Sequence, residues 1–173
     1  GEETGGMSVV TNIMIPITRL FVHTTEERCL ANEVSLTTLR AFAGLSMALA
    51  HGLGKLPPNE KFVEGVAALG FPAPEFFAYA AGYAEFYGGL CLAAGLLTRP
   101  ASVFIAFTMI VAVFGRHAAA PYRMKELGLL YLTTALVFVV RGAGKLSVDY
   151  LLTRVLKRPG GSPQVTADAS EEK

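Results

Sequence analysis

The hydrophobic pattern of the chain centres on the stretch from Phe76 to Leu97. It holds apolar and small residues on every side and one charged residue, Glu85, near its middle. Its length is close to the roughly 20 residues with which a helix crosses a bilayer, and it lacks the polar face of a soluble surface helix. We therefore predict a transmembrane helix. A carboxylate inside such a helix costs at least ~2.5 kcal/mol to insert, so Glu85 is expected to face protein and to have a partner or a function.

Three more apolar runs predict three more spans. The run 36–53 contains Arg40 and His51, whereas the runs 101–115 and 127–140 are uncharged. The last two are short for a hydrocarbon core of ~30 Å, so the charged residues at their ends are expected at the membrane interface. The pattern thus predicts an all-α protein, a four-helix transmembrane bundle.

The segments outside the bundle are predicted to be amphipathic or polar. Residues 1–35 form a predicted N-terminal arm on the membrane surface, because Pro16 and Arg19 interrupt its apolar segment. Disorder of this terminus is the alternative. Ser35 is expected to cap the first helix of the membrane domain, 36–150. Residues 151–173 are predicted to be an amphipathic stretch followed by a disordered polar tail.

Composition supports a membrane protein and excludes several other classes. The chain is 52% hydrophobic and 17% charged, with a mean hydropathy of +0.45, which is too apolar for an ordinary soluble domain. A net charge of +1 with scattered basic residues argues against a nucleic-acid partner. The first residues of the sequence do not show the pattern of a cleavable signal peptide. More basic residues flank the spans on the side of the two termini, which predicts cytoplasmic termini in a bacterial inner membrane.

The predicted interior contains four polar candidates, Arg40, His51, Lys55 and Glu85. In an antiparallel pair of helices, Glu85 lies at a depth between Arg40 and His51. An Arg40–Glu85 ion pair would be structural, whereas a Glu85–His51 relay would handle protons. Gly44, Ala48 and Gly52 lie on one flank of the first helix, and this seam of small residues would let another helix approach closely.

A second group of candidates collects at the outer end of the bundle: Arg116, His117, Lys125 and Glu126, beside His51 and Lys55. These groups could hold the carbonyl oxygens of a quinone or another amphipathic ligand. Alternatively, they are interfacial anchors at helix ends. No metal site is predicted, because His51, His117 and Glu126 come from three helices without a local ligand spacing. Nucleotide, haem and hydrolase motifs are absent from the sequence, and the two cysteines form no CxxC.

The residues from about Leu36 to Tyr150 resemble the DoxX family of small four-helix bacterial membrane proteins. The resemblance rests on Arg40, Gly44, the HGxxK of His51 to Lys55, Glu85 with Gly88 and Gly89, Gly95, Thr98 with Arg99, Glu126, and the GxGKLSxD of Gly142 to Asp149. Ala143 stands where the family most often has proline. The family is named for its similarity to the small subunit of a thiosulfate:quinone oxidoreductase, and some members are thought to work with oxidative-stress proteins.

Three functions remain open from the sequence. The resemblance implies an integral membrane subunit of a redox-linked complex, at most an oxidoreductase subunit, with quinone as the conceivable ligand and no cofactor evident. The second function is that of a non-catalytic scaffold subunit, which would dock other membrane or redox proteins or a second copy of this chain. A carrier of protons or small solutes that uses Glu85 is the third, although the broken-helix repeats of transporters are not seen.

Overall fold

The computed structural model describes residues 30–156, and the fold is all-α, as predicted. Residues 1–29 and 157–173 lie outside the described residues, and with them the apolar segment of the predicted arm and the predicted polar tail. Within 30–156 there are six α-helices and no strand: α1 Leu30–Ser46, α2 Glu60–Ala67, α3 Pro74–Ala94, α4 Thr98–Ile110, α5 Tyr122–Arg141 and α6 Val148–Leu156. The four long helices α1, α3, α4 and α5 pack together, and α2 lies against α3.

Two of the long helices continue as π-helical turns. Helix α1 is followed by the π-helical turn Met47–Gly52 and the 3-10 turn Leu53–Lys55, and α4 by the π-helical turn Val111–Arg116. In each, a backbone amide bonds the carbonyl five residues earlier, as Leu53 does to Ala48 and His117 does to Ala112. Such turns are rare and frequently lie at functional sites.

One helix of the described part, Thr98–Arg116, is long and apolar enough by composition to cross a membrane, with a mean hydropathy of 1.6. Helix α3 has 21 residues, but alanine, glycine and tyrosine make up much of it. The four-span bundle therefore stays a prediction, whereas the helical class is confirmed.

The small-residue seam brings α1 and α3 into direct backbone contact. A Cβ atom added to Gly44 would lie 2.5 Å from the carbonyl oxygen of Gly89 and 2.5 Å from the amide nitrogen of Ala93. Gly52, eight residues later, faces the backbone of Phe86. The two helices are thus antiparallel, and the predicted role of Gly44 and Gly52 in close packing is confirmed.

The core lies where the four long helices meet, but their outward faces are also apolar. The buried cluster comprises Met47, Leu92, Ile105, Ala106, Met109, Leu132, Ala135 and Phe138. Outside it, Phe42, Phe114 and Val140 are 72%, 62% and 80% exposed. A surface with so many large exposed apolar side chains is typical of proteins that contact lipid or other subunits.

Arg40 stabilises the C-terminal end of α3. Its Nη1 donates to the carbonyl oxygens of Leu92 and Ala93 at 2.9 and 3.1 Å, and its Nη2 donates to Leu146 at 2.8 Å. The first two are among the last four carbonyls of α3, which lack the regular helical amide partner four residues later, although the Leu92 carbonyl also accepts the amide of Gly95 at 3.1 Å. Gly95 follows in a left-handed conformation, φ 72°, and a side chain there would overlap the Arg40 guanidinium. A buried guanidinium thus joins α1, α3 and the segment before α6.

Asp149 fastens the turn between α3 and α4. Its Oδ1 accepts the amide of Leu97 at 2.8 Å and its Oδ2 that of Thr98 at 3.0 Å, while its own amide donates to Gly95 at 2.9 Å. Leu97 has a φ of 47°, a conformation that costs a residue with a side chain about 1–2 kcal/mol. These bonds offset that cost and satisfy amides at the start of α4.

Replacing Asp149 with Ala is expected to lower the free energy of unfolding by about 2 kcal/mol, because two helix-start amides lose their acceptor. Asp149→Asn keeps one acceptor oxygen and should lose about half as much. Thermal unfolding in mild detergent measures both. Glu126→Ala, at an exposed carboxylate of α5, is the control. Equal melting temperatures of Asp149→Ala and Glu126→Ala would contradict this role.

The predicted helix cap at Ser35 is wrong. Ser35 lies inside α1, and its hydroxyl donates to the carbonyl oxygen of Ala31 at 2.7 Å. Glu33, in the first turn of α1, is buried, and its carboxylate accepts the amide of Lys145 at 2.7 Å. Helix α1 therefore crosses the predicted boundary at residue 35, and α6 crosses the one at residue 150.

Candidate functional site

A cavity of about 650 Å³ lies between α2, α3 and α4. Most of its wall is apolar, and six phenylalanines contribute to it: Phe62, Phe71, Phe76, Phe77, Phe104 and Phe107. The charged and imidazole side chains that line it are Lys55, Lys61, Glu85, Arg116 and His117. A concave apolar site of this size with a few polar groups is the usual form of a small-molecule binding site.

An ion pair between Lys55 and Glu85 forms the polar part of the cavity wall. The Lys55 ammonium lies 2.6 Å from both carboxylate oxygens of Glu85. The Glu85 side chain is only 1% exposed, whereas that of Lys55 is 32% exposed. Lys55 also lies 5.3 Å from the centre of the Phe62 ring, which favours a cation at that position. The arrangement buries the carboxylate and leaves part of the Lys55 side chain accessible.

Close helix packing brings the two charges together. Gly52 lies against the backbone of Glu85 and Phe86, and a Cβ on Gly82 would lie 2.8 Å from the Leu56 side chain. The π-helical and 3-10 turns carry the chain on from α1, so that Lys55 reaches α3 at the level of Glu85. The π-helical turn after α4 contributes Val111, Ala112 and Arg116 to the cavity. Both irregular turns therefore serve the same site.

The expected Arg40–Glu85 ion pair is wrong, because the register of α1 on α3 separates the two residues. Gly52 faces Glu85 and Phe86, and Arg40 lies twelve residues earlier, which is about 18 Å along the helix. Arg40 bonds the carbonyl groups at the C-terminal end of α3 instead. Its charge is used at the C-terminal end of α3, whereas Glu85 lies near the middle of that helix.

The expected Glu85–His51 relay is not formed either. The His51 ring contacts the Tyr131 ring of α5 edge-on, with centroids 5.3 Å apart and an angle of 79°. His51 does not line the cavity, and in the described part of the chain the Glu85 carboxylate bonds Lys55. His51 therefore lies on another face of the helix from Lys55.

The four outer-face candidates divide into two pairs. Arg116 and His117 line the cavity, and the Arg116 guanidinium lies close to Gly65 of α2. Lys125 donates to the carbonyl oxygen of Ala118 at 2.6 Å, and Glu126 is exposed on α5. The structure thus brings Arg116 and His117, but not Lys125 and Glu126, to the same cavity as Lys55 and Glu85. Between residues 30 and 156, no three His, Cys, Asp or Glu side chains come close enough to hold a metal ion.

The phenylalanines of the cavity were not among the candidates from the sequence. Phe71, Phe76 and Phe77 cluster around the proline-rich turn before α3, and Phe62 lies on α2, whose apolar side faces the bundle. The concentration of aromatic residues between 62 and 77 is the sequence signal that could have indicated this wall. Its grouping with Phe104 and Phe107 depends on the packing of α4.

The fold and the site together define a class, that of a small helical protein with an apolar exterior and a polar pair inside a phenylalanine-lined cavity. Comparison with known proteins identifies the family within this class. A family model described as DoxX matches residues 35–118, and one described as TQO small subunit DoxD matches residues 77–165. The chain belongs to the DoxX family.

Two curated relatives agree with this assignment. A Bacillus subtilis protein named "Putative oxidoreductase CatD" is 30% identical over 118 residues, which are 68% of this chain and 86% of that protein. An uncharacterized protein of Haemophilus influenzae is 35% identical over 65 residues, 35% of this chain and 43% of that protein. No solved structure matches the chain at a significant level. The family membership supports a membrane location and a link to membrane redox complexes.

Proposed function

We propose that the chain is a multi-pass subunit of a redox-linked complex of the bacterial inner membrane, and that its cavity binds the ring of a quinone-type ligand. The observation that carries this proposal is the Lys55–Glu85 pair in the wall of a cavity lined by phenylalanines. The names of the family models and of the Bacillus relative add the connection to oxidoreductases.

The lengths of α3 and α5 support a bundle that spans the membrane. Helices α3 and α5 have 21 and 20 residues, and at 1.5 Å per residue each is about 30 Å long, the thickness of the hydrocarbon core. Their exposed side chains include Phe76, Leu130 and Leu136. The end of the bundle with Arg99, Arg141 and Lys145 would face the cytoplasm, together with both termini, by the distribution of basic residues.

The cavity has the size and the chemistry that a quinone ring requires. Its volume lies within the roughly 300–1,000 Å³ of small-ligand sites, and aromatic side chains favour contact with a flat ring. The Lys55 ammonium has three N–H donors, of which the carboxylate of Glu85 takes at most two. Arg116 and His117 supply further donors from the end of the π-helical turn that follows α4. An apolar tail would extend among the exposed Phe104 and Phe107.

The side chains of the site can bind the ring, shield it from water and exchange protons. A bound quinone would supply a couple of two electrons and two protons. Lys55 and His117 can donate protons to oxygen atoms, and Glu85 can accept one. None of these side chains carries electrons, so in this proposal the electron donor or acceptor belongs to another subunit of the complex.

Mass spectrometry of the protein purified in mild detergent, covering both small molecules and associated proteins, tests the proposal. We expect about one quinone per chain, or saturable binding of a short-chain ubiquinone or of menadione by the purified protein. Phe107→Ala, which removes a ring from the cavity, should weaken binding about fivefold or more. Phe114→Ala is the matched control, because Phe114 is equally exposed on the same helical segment but does not line the cavity.

Either of two results would overturn the quinone site. One is the absence of quinone from the purified protein together with no saturable binding of the two added quinones. The other is an equal loss of binding in Phe107→Ala and Phe114→Ala, which would assign the affinity to the detergent-covered surface instead of the cavity.

A non-catalytic assembly subunit is the second candidate, and a row of tyrosines on α3 favours it. Tyr79, Tyr83 and Tyr87 follow one another on one face, with ring centroids 6.1 and 5.6 Å apart. Tyr83 and Tyr87 are 49% and 55% exposed in the middle of the helix, where a hydroxyl surrounded by lipid lacks a hydrogen-bond partner. A partner protein in the same purification, without quinone, would support this function over the first.

A further inference from the structure

A second concave site lies at the opposite end of the bundle from the phenylalanine-lined cavity. It is a groove of about 280 Å³ between the start of α4, the end of α5 and the start of α6. Arg99, Arg141, the segment Gly142–Gly144 and Tyr150 contribute to its wall. The groove shares no lining residue with the phenylalanine-lined cavity.

Two guanidinium groups give the groove a positive charge. Arg99 uses one N–H on the carbonyl oxygen of Val140, at 3.3 Å, and the rest of its donors remain for a ligand. Arg141 is exposed at the last residue of α5. Gly142 and Gly144 have positive φ angles of 76° and 77°, and a Cβ on Gly142 would lie 3.4 Å from Nε of Arg99. The backbone therefore passes close beside a guanidinium without a side chain to cover it.

The carboxylate in the groove does not cancel this charge. Asp149 also contributes to the wall, but its two oxygens accept the amides of Leu97 and Thr98. The two arginines thus remain available to an anion.

We propose that this groove binds a phosphate group, and that the phosphate is the headgroup of an anionic phospholipid. Arginine is the side chain best suited to phosphate oxygens, since its planar fork of donors can bond two of them at once. A lipid is favoured over a free ion because apolar side chains flank the groove, Val140 being 80% exposed and Leu97 61% exposed. Basic sites between helices on the cytoplasmic side are typical places for such headgroups.

The test uses the full chain in a neutral detergent, with native mass spectrometry to count bound lipids. The ligands are a short-chain phosphatidylglycerol, a phosphatidylcholine of the same chain length, and inorganic phosphate. We expect saturable binding of phosphatidylglycerol, weaker binding of phosphatidylcholine, and a loss of affinity at high salt. Arg141→Gln should lower the phosphatidylglycerol affinity about fivefold.

Arg123→Gln is the matched control, because Arg123 is an exposed arginine at the other end of the same helix α5. It removes the same charge and should leave the affinity unchanged. Equal losses in the two variants, or equal binding of the two lipids, would overturn the proposed site. Inorganic phosphate that displaces phosphatidylglycerol at comparable concentration would keep the phosphate site and overturn its assignment to a lipid.

Discussion

Replacing Lys55 with Met is expected to lower the free energy of unfolding by about 3 kcal/mol, because it leaves the buried carboxylate of Glu85 without its partner. Glu85→Gln should cost less, since it removes the buried charge and keeps the shape of the side chain. The double variant Lys55→Met with Glu85→Gln should therefore be more stable than Lys55→Met alone. Thermal unfolding in mild detergent measures all three.

The Glu75→Gln variant is the control for this series. Glu75 lies on the same helix as Glu85 but is exposed, so its neutralisation should leave the melting temperature nearly unchanged. A double variant no more stable than Lys55→Met would show that the pair does not act as a unit. A properly folded Glu85→Gln protein that binds added quinone as well as the wild type does would remove Glu85 from the proposed ligand site.

The Gly44→Ala variant is expected to lose about 2 kcal/mol of stability, because the new methyl group would lie 2.5 Å from backbone atoms of Gly89 and Ala93. The higher helix propensity of alanine returns at most about 1 kcal/mol, so the steric term decides the sign. Backbone atoms on the facing helix cannot move aside as a flexible side chain could. Helices α1 and α3 must then separate or shift in register.

Gly54→Ala provides the comparison, since a Cβ at Gly54 meets no atom within 4 Å. We expect it to melt at about the same temperature as the wild type, measured in the same detergent. If Gly44→Ala melted no lower than Gly54→Ala, the close contact between α1 and α3 would not be part of the stable protein. Loss of bound ligand in Gly44→Ala would follow from the same shift, because the register of α1 on α3 also sets the Lys55–Glu85 contact.

The sequence predicted the helices and the small-residue contact, but not which charges meet. Hydrophobic length and the spacing of Gly44 and Gly52 depend on the chain alone; the structure confirms the helical class and the close contact of these glycines with α3, whereas the four membrane spans stay a prediction. The partner of Glu85 depends on how far α1 is displaced along α3, and small residues permit several displacements. Different registers of α1 on α3 would place Arg40, His51 or Lys55 beside Glu85. The packing of Gly52 on Phe86 fixes the register that brings Lys55 to Glu85.

The cavity was only partly foreseeable for a related reason. The sequence pattern predicts that the first helix ends near residue 53. In the structure, the π-helical and 3-10 turns carry the helical chain on to Lys55. No local pattern of residues announces such turns, since they depend on packing against α3. Arg116 and His117 were expected to gather with Lys55 at one end of the bundle, and the structure brings all three to one cavity. The phenylalanine wall needs the positions of α2, α3 and α4 together, which a single helix pattern does not contain.

The hydrogen bonds of Arg40 and Asp149 distribute the polar links between helices unevenly along the bundle. At one end, bonds between distant parts of the chain tie α1, α3, α4 and α6 to one another. Near the middle of α3, in the described part, the Lys55–Glu85 pair is the one salt bridge between helices. Several polar contacts thus join the helices at the Arg40 end, whereas a single ion pair joins them beside the cavity. A ligand of the proposed quinone site would therefore need to part only the helices that the Lys55–Glu85 pair joins, while the contacts of Arg40 and Asp149 remain.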